Sequence, residues 1–152
     1  MNVSIIAIAK NEGPYLSEWI FHHLYMGFEN IYIGINKTSD NSKKIIDQIN
    51  LTHPNKINLF NVDWAHRTRN DLQPAAYSFM LDQITPSFKK DDFFCFIDVD
   101  EYWFTPSMKI NISNYLQGKR FSHADMVSFP WAFQNGDDAE FLLPFKNKEI
   151  FF

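Results

Sequence analysis

Cysteine, glycine and long apolar runs are all scarce in this chain of 152 residues, and each scarcity excludes a class of protein. The one cysteine, Cys95, excludes an internal disulfide framework and a zinc site built from cysteines. Five glycines exclude a collagen-like repeat, and no apolar run reaches the length of roughly 20 residues that a membrane-spanning helix needs. The first residues, MNVSIIAIAKNEG, lack the basic stretch that begins a secretory signal.

An excess of positive charge is also missing, because 14 Lys and Arg stand against 18 Asp and Glu and the formal net charge is −4. No overall field therefore draws the chain to nucleic acid or to anionic lipid. Hydrophobic residues make up 45% of the chain and aromatic residues 17%, which is enough for one domain with a core, expected to span residues 1–152. We expect a cytoplasmic protein, with peripheral attachment at the inner membrane face as the alternative.

Apolar runs of strand length alternate with segments of helical periodicity along the first two thirds of the chain. The predicted strands are Val3–Ala9, Ile31–Ile35, 57–62 and 93–97. The predicted helices begin near Pro14, Lys43 and Pro74. Because each connection is long enough for a crossover helix, this order predicts an open, mainly parallel α/β sheet with helices on both faces. The last third has weaker signals, a helix at 112–117 and a strand at 126–131.

Two carboxylates, Asp98 and Asp100, directly follow the predicted strand 93–97, whose apolar sequence FFCFI is typical of a buried central strand. Ligands of open α/β sheets bind beyond the carboxyl ends of the strands. Two anions in such a crevice repel each other, and a divalent cation removes that penalty. Mg²⁺ and Mn²⁺ prefer carboxylate oxygens and commonly bridge to substrate phosphates. The pattern therefore indicates a metal–diphosphate site, with a solvated acidic loop as the alternative.

Five segments, taken in order, resemble glycosyltransferases of the GT-A superfamily, close to the family 2 type and to relatives of family 92. They are an opening strand with a K-N-E loop and an E-W-x-x-x-H helix (5–23), a second strand with an N-x-S-T-D-x-S/T-like loop (31–42), a Q-x-x-x-Y helix start (73–77), a D-x-D-E segment (96–103) and a W-x-x-F-like element (131–133). Their specificity lies in the common order of all five. The resemblance implies the GT-A fold, a Rossmann-like open sheet.

The resemblance also implies an enzyme that transfers a sugar from a nucleotide-sugar donor, commonly a UDP-sugar, to a glycan or a lipid-linked acceptor. A Mn²⁺ or Mg²⁺ ion would be held between Asp98, Asp100 and the diphosphate and would neutralise charge on the leaving nucleotide. By the same resemblance, Asp100 and Glu101 are the candidate catalytic residues. The loops after the first two strands flank the nucleoside in the family, so the candidates for donor binding, besides Asp98, are Asn11, Glu12, Asn36 and Asp40.

Several features depart from the pattern of these families. Ile35 stands where relatives usually carry an Asp that contacts the base, so the nucleotide is left open and Asn36 is the candidate substitute. Lys10 stands where many relatives have Tyr, and Gln134 where they often have Gly. The catalytic base and the downstream histidine of related enzymes have no counterpart, and the chain ends on the apolar sequence EIFF. We therefore expect a truncated chain whose acceptor-binding portion, after about residue 135, is incomplete.

Other interpretations remain open on the sequence alone. One is a catalytically incomplete nucleotide-binding remnant of such an enzyme. The other is a phosphotransferase of the haloacid dehalogenase type, although that family carries its D-x-D motif near the first strand. Apolar surface left by a missing half predicts self-association. His23 is expected to be a buried histidine satisfied by a backbone carbonyl, and Cys95 an inert thiol. Arg67 and Arg69 either reach a diphosphate or lie in a solvated loop.

Overall fold

The computed structural model describes residues 1–67, 72–118, 121 and 123–130, with only the backbone at residues 66 and 67. The chain divides into two compact units, Met1–Gly118 and Lys119–Phe152. In the second unit, residues 126–130 are not in a strand, so the strand predicted at 126–131 is wrong over these residues. Pro130 has no amide hydrogen for a ladder bond, and the Met126 side chain is 83% exposed. The W-x-x-F-like element and Gln134 lie outside the described residues.

A four-stranded, all-parallel sheet forms the centre of the first unit, which confirms the predicted fold class. Its strands, numbered along the chain, are β1 (Val3–Ala9), β2 (Ile31–Ile35), β3 (Ile57–Asn61) and β4 (Phe93–Phe96). Their order across the sheet is β3-β2-β1-β4, so β1 pairs with both β2 and β4. Ile5 of β1, for example, lies opposite Ile31 on one side and Cys95 on the other.

Three helices connect the strands, and a short fourth helix follows β4. They are α1 (Gly13–Tyr25), α2 (Ser42–Thr52), α3 (Leu72–Ile84) and α4 (Ile112–Leu116). Between β3 and α3, the residues Asp63–Arg67 form a 3₁₀ helix. α1 and α2 pack against each other, and α2 also packs against β3. No helix in the described part of the chain is long and apolar enough to cross a membrane.

The core lies on both faces of β1 and β2, as their unbroken apolar sequences predict. On one face, Ile6 and Tyr32 pack against Ala76 and Met80 of α3. Ile5, whose side chain points to the opposite face because successive residues of a strand alternate, is likewise fully buried. Burial of each such large apolar side chain contributes about 1.5–3 kcal/mol to folding. The two central strands therefore hold their carboxyl ends in fixed positions.

In the described part of the chain β4 lies at the edge of the sheet, and the prediction that this strand is fully buried is wrong. Among the described residues, β4 pairs with β1 alone, and three of its four residues are only half-buried. Phe96 is 50% exposed, although its ring packs against Tyr77 with the ring centroids 5.0 Å apart. Phe94 packs against Phe88, with the ring centroids 4.5 Å apart and the ring planes tilted by 43°. The aromatic side chains of β4 thus pack against neighbouring rings while they remain partly exposed. An apolar sequence does not reveal whether a strand is packed in this way or is buried on both faces.

Gly27 ends α1 in the left-handed conformation, with φ +87°. A Cβ atom at this position would lie 2.8 Å from Cβ of Asn111. The Asn111 Cβ is bonded directly to the backbone, so it cannot turn away as the end of a flexible side chain can. We predict that Gly27→Ala lowers the free energy of unfolding by at least about 1 kcal/mol, because the backbone strain adds to the overlap. Gly118→Ala, where φ is not left-handed and the nearest contact is 3.3 Å, is the matched control in urea denaturation. Equal losses in the two variants would contradict this interpretation.

Candidate functional site

A cleft of about 430 Å³ lies at the edge of the sheet where the parallel strands end. Because all strands run in the same direction, the loops that follow β1, β2 and β4 meet at this edge. Four predicted site residues line it together: Glu12, Asn36, Asp98 and Asp100. The sequence pattern assigns these residues to three separate loops, and the fold brings them to one site.

Lys10 and Gln73 also line this cleft, and Ile8 and Leu72 give it an apolar wall. The sequence indicates Lys10 only as a departure from a family pattern and Gln73 only as the start of a helix motif. The residue type alone identifies neither of them as a site residue, because a lysine after a strand and a glutamine at a helix start are common. The position of Lys10 right after β1, at the carboxyl edge, is the signal that could have identified it.

The two aspartates lie on a tight turn that exposes both of them. Glu101 N–H donates to the Asp98 carbonyl at 3.0 Å, and Asp98 N–H donates to the Glu101 carboxylate, also at 3.0 Å. Val99 between the aspartates is buried, with 3% of its surface exposed, whereas Asp98 and Asp100 are exposed. The alternation explains the spacing of the motif: one apolar residue anchors the turn and directs its two neighbours outward.

The carboxylates of this turn act on two half-buried groups, Tyr77 and Cys95. Burial, with a further contribution from Asp98 and Glu101, raises the pKa of Tyr77 to about 12. Burial and the negative charge of Glu101 raise the pKa of the Cys95 thiol to about 11. Both groups therefore stay protonated at neutral pH, and Cys95 lacks the thiolate that a nucleophile requires.

Asn11 and Asp40, two further predicted donor-binding residues, tie the loop after β1 to the loop after β2. Asn11 Oδ1 accepts a hydrogen bond from Ser39 N–H at 2.8 Å, and Asn11 itself adopts a left-handed φ of 58°. The Asp40 carboxylate accepts from Gly13 N–H at 2.8 Å and from Ser42 N–H at 3.0 Å. It thereby caps the first turns of both α1 and α2, and the bonds from Ser42 lower the pKa of Asp40.

These contacts divide the predicted site residues into two groups. Asn11, Asp40 and Glu101 make hydrogen bonds that shape the loops, and they are not among the residues that line the cleft. A direct contact of Asn11 or Asp40 with a nucleoside, and a catalytic role of Glu101, stay predictions. Asn36 does line the cleft, and its orientation is fixed because its side-chain amide donates to the Val62 carbonyl at 3.1 Å.

Helix α1 supports the acidic turn from behind, through residues that the sequence alone does not place at the site. Trp19 Nε1–H donates to the Glu101 carbonyl at 2.8 Å, and His22 Nε2 lies 2.8 Å from the Trp103 carbonyl. His23 is fully buried and its Nδ1 lies 2.8 Å from the Trp19 carbonyl, which confirms the prediction of a satisfied core histidine. The spacing of positions 19, 22 and 23 on one helical face is the signal that could have grouped these residues.

Three carboxylates line the cleft, those of Glu12, Asp98 and Asp100, and the last two belong to one turn. No group of three or more His, Cys, Asp or Glu side chains that could hold a metal ion is found in the described residues. Mg²⁺ is commonly bound through one or two carboxylates together with phosphates and water. The pair Asp98 and Asp100 thus fits an ion that shares its remaining ligands with a diphosphate and water. The side chains of Arg67 and Arg69 lie outside the described residues.

A second cleft, of about 480 Å³, lies between the ends of α1 and α2. It has no aspartate pair, and the two charged residues that line it, Lys56 and Glu29, are joined by an ion pair of 2.6 Å. Its charges therefore neutralise each other, whereas the acidic turn of the first cleft leaves two carboxylates open to a cation.

The sheet and the first cleft together define an open α/β domain with an acidic site beyond the carboxyl ends of its strands. Comparisons of the chain with family descriptions of known proteins, with curated proteins and with solved structures found no significant match. The geometry of the cleft and the order of the sequence motifs therefore carry the functional proposal.

Proposed function

We propose that this chain is the donor-binding domain of a metal-dependent glycosyltransferase. It would transfer a sugar from a nucleotide-sugar, most simply a UDP-sugar, to a glycan or lipid-linked acceptor. The observation that carries the proposal is the convergence of Asp98 and Asp100 with Glu12 and Asn36 in one cleft at the carboxyl edge of a parallel sheet. Nucleotides bind at this edge in open α/β folds.

Asp98 and Asp100 would hold Mn²⁺ or Mg²⁺ together with the diphosphate of the donor. When bound, the ion neutralises charge on the leaving nucleotide. The turn contributes by holding both carboxylates outward, so that they are in place before a ligand arrives. Two carboxylates give a lone ion few ligands, so we expect ion and nucleotide to bind cooperatively.

Lys10, which lines the same cleft, would also bind the diphosphate. In the described part of the chain, the one ion pair found joins Lys56 and Glu29, so the Lys10 ammonium is not engaged by a described carboxylate. Lysine is a common phosphate ligand, as a compact charge on a flexible stem.

Base recognition would fall to other residues that line the cleft. Ile35, which replaces the aspartate of the related families, is 2% exposed and has no polar group for a base. Asn36, Glu12 and Gln73 provide hydrogen-bonding groups in the cleft, and Ile8 and Leu72 offer apolar surface for a flat ring. These groups can bind either uracil or guanine, so titration with UDP and with GDP decides which base the cleft prefers.

Release of nucleotide from donor sugars tests the proposal. The chain is incubated with UDP-glucose, UDP-galactose and UDP-N-acetylglucosamine, with and without Mn²⁺, and free UDP is measured. We expect Mn²⁺-dependent release that Asp100→Asn abolishes. Donor binding without release would favour the alternative, a nucleotide-binding module that lacks its catalytic half. Absence of both binding and release, for UDP- and GDP-sugars alike, would overturn the proposal.

Substitution of Lys10 tests the diphosphate contact separately. We predict that Lys10→Met weakens UDP binding about tenfold, because it removes a charge-assisted hydrogen bond of roughly 1.5–3 kcal/mol, and leaves uridine binding unchanged. Lys90→Met, which removes the same charge from the turn before β4 at the opposite edge of the sheet, is the matched control. Equal effects of Lys10→Met on UDP and uridine would contradict the assignment.

A further inference from the structure

One face of α1 is bonded to the backbone that follows the two aspartates. Trp19 Nε1–H donates to the Glu101 carbonyl at 2.8 Å, and His22 Nε2–H donates to the Trp103 carbonyl at 2.8 Å. In the other direction, Trp103 N–H donates to His23 Nε2 at 3.3 Å. Three side chains of a single helix thus hold the main chain of residues 101–103.

The histidine contacts require one defined protonation state. His23 Nδ1 faces the Trp19 carbonyl, which only accepts, so Nδ1 carries the proton and Nε2 is the acceptor for Trp103 N–H. The ring is fully buried and lies nearly parallel to Tyr102, with an interplanar angle of 17° and centroids 6.0 Å apart. His23 is therefore a neutral, oriented acceptor.

The bonds continue from this segment to the first aspartate. Glu101, whose carbonyl accepts from Trp19, is joined to Asp98 by the two hydrogen bonds that close the acidic turn. The sheet reaches less far, because the last pair of the β1–β4 ladder is Ile6 with Phe96. Asp98 and Asp100 thus lie beyond the ladder, and α1 provides the hydrogen bonds nearest to them on the side of residue 101.

We propose that Trp19, His22 and His23 are positioning residues, which fix the acidic turn so that its two aspartates present a preformed site for a metal–diphosphate. The ligand in this statement rests on the proposed function; the positioning itself does not. Removal of one of the hydrogen bonds from α1 would let the turn move. A site that needs both carboxylates at once would then lose affinity without any change in its own side chains.

Trp19→Phe tests the positioning, because it removes the indole N–H and keeps an aromatic ring in the core. We expect amide hydrogen exchange at Asp98, Glu101 and Trp103 to accelerate by about tenfold, because loss of one hydrogen bond changes the opening equilibrium by about this factor. The amides of β1 should exchange at the wild-type rate. Affinity for UDP with Mn²⁺ should fall by a similar factor, and affinity for UDP without metal should not change. Ile20→Val, equally buried on α1 and purely apolar, is the control and should alter none of these.

His22 offers a conservative pair of variants. His22→Gln retains a donor that can reach the Trp103 carbonyl, and His22→Leu does not. We expect His22→Gln to keep slow exchange and Mn²⁺-dependent binding, and His22→Leu to lose both. Unchanged exchange at residues 98–103 in Trp19→Phe and His22→Leu, or equal changes in Ile20→Val, would overturn the positioning. If the wild-type chain does not bind UDP with Mn²⁺, the proposed function fails, and the exchange rates still decide the positioning.

Discussion

Asp98→Asn should abolish the Mn²⁺ dependence of UDP binding. The substitution removes one of the two aspartate carboxylates that line the cleft, and an amide is a far weaker ligand for a hard cation. We expect the affinity for UDP in Mn²⁺ to fall by at least about tenfold, to the level measured without metal, since one charge-assisted ligand bond is worth more than about 1.4 kcal/mol. Calorimetric titration with and without Mn²⁺ measures both values on the same sample.

The fold should survive this substitution, because Asp98 is exposed and its backbone forms the bonds of the turn. Asp91→Asn removes the same charge from an exposed position before β4 and serves as the control. If Asp98→Asn retains wild-type Mn²⁺ dependence while the protein binds UDP, the acidic turn is not the metal site.

Acidification from pH 7 to pH 5 should destabilise the fold by about 2 kcal/mol through His23 alone. Burial lowers the pKa of His23 to about 3 from the ordinary value of 6.5. In the unfolded chain His23 therefore binds a proton as the pH falls through 6.5, whereas in the folded chain it binds one only near pH 3. The stabilisation is complete above pH 6.5 and is lost as the pH falls through this window, and His22, whose pKa burial also lowers, acts in the same direction.

Urea denaturation at the two pH values measures this effect, and His23→Gln is the informative variant. It should be less stable than wild type at pH 7 but should lose most of the dependence on pH. The aspartates with lowered pKa values, Asp40, Asp63 and Asp92, lose their stabilisation only below their ordinary value of 3.8, outside the chosen range. A wild-type slope retained in His23→Gln would contradict the assignment to this ring.

The central architecture follows from the sequence because its signals are local. An unbroken apolar run such as VSIIAIA suits a strand with helices on both sides, and strand–helix alternation leaves a parallel sheet as the simple solution. The rule that ligands bind at the carboxyl edge then places Asp98 and Asp100 in a cleft on the sequence alone.

The parts that the sequence could not provide depend on distant partners. The sequence FFCF predicts a strand that is buried on both faces. It does not reveal that the rings of β4 instead pack, partly exposed, against Tyr77 and Phe88. The bond from Trp19 to Glu101 joins residues 82 positions apart, and no periodicity reports it. Asn11 and Asp40 look like ligand-binding residues in a loop motif, and the structure uses their side chains to join two loops.

Calorimetric titration of the whole chain with UDP, in the presence and absence of Mn²⁺ and then with Mn²⁺ alone, is the measurement that tests the central claim most directly. We predict binding of one UDP per chain that tightens at least about tenfold with Mn²⁺, and weak binding of Mn²⁺ without nucleotide. The reason is that the proposed site gives the ion two aspartate carboxylates, and the diphosphate provides further ligands. The same titration with GDP tests the alternative nucleotide, because Ile35 is buried and has no polar group with which to select a base. Failure of both nucleotides to bind, with and without Mn²⁺, would contradict the assignment of the cleft as a metal–nucleotide site.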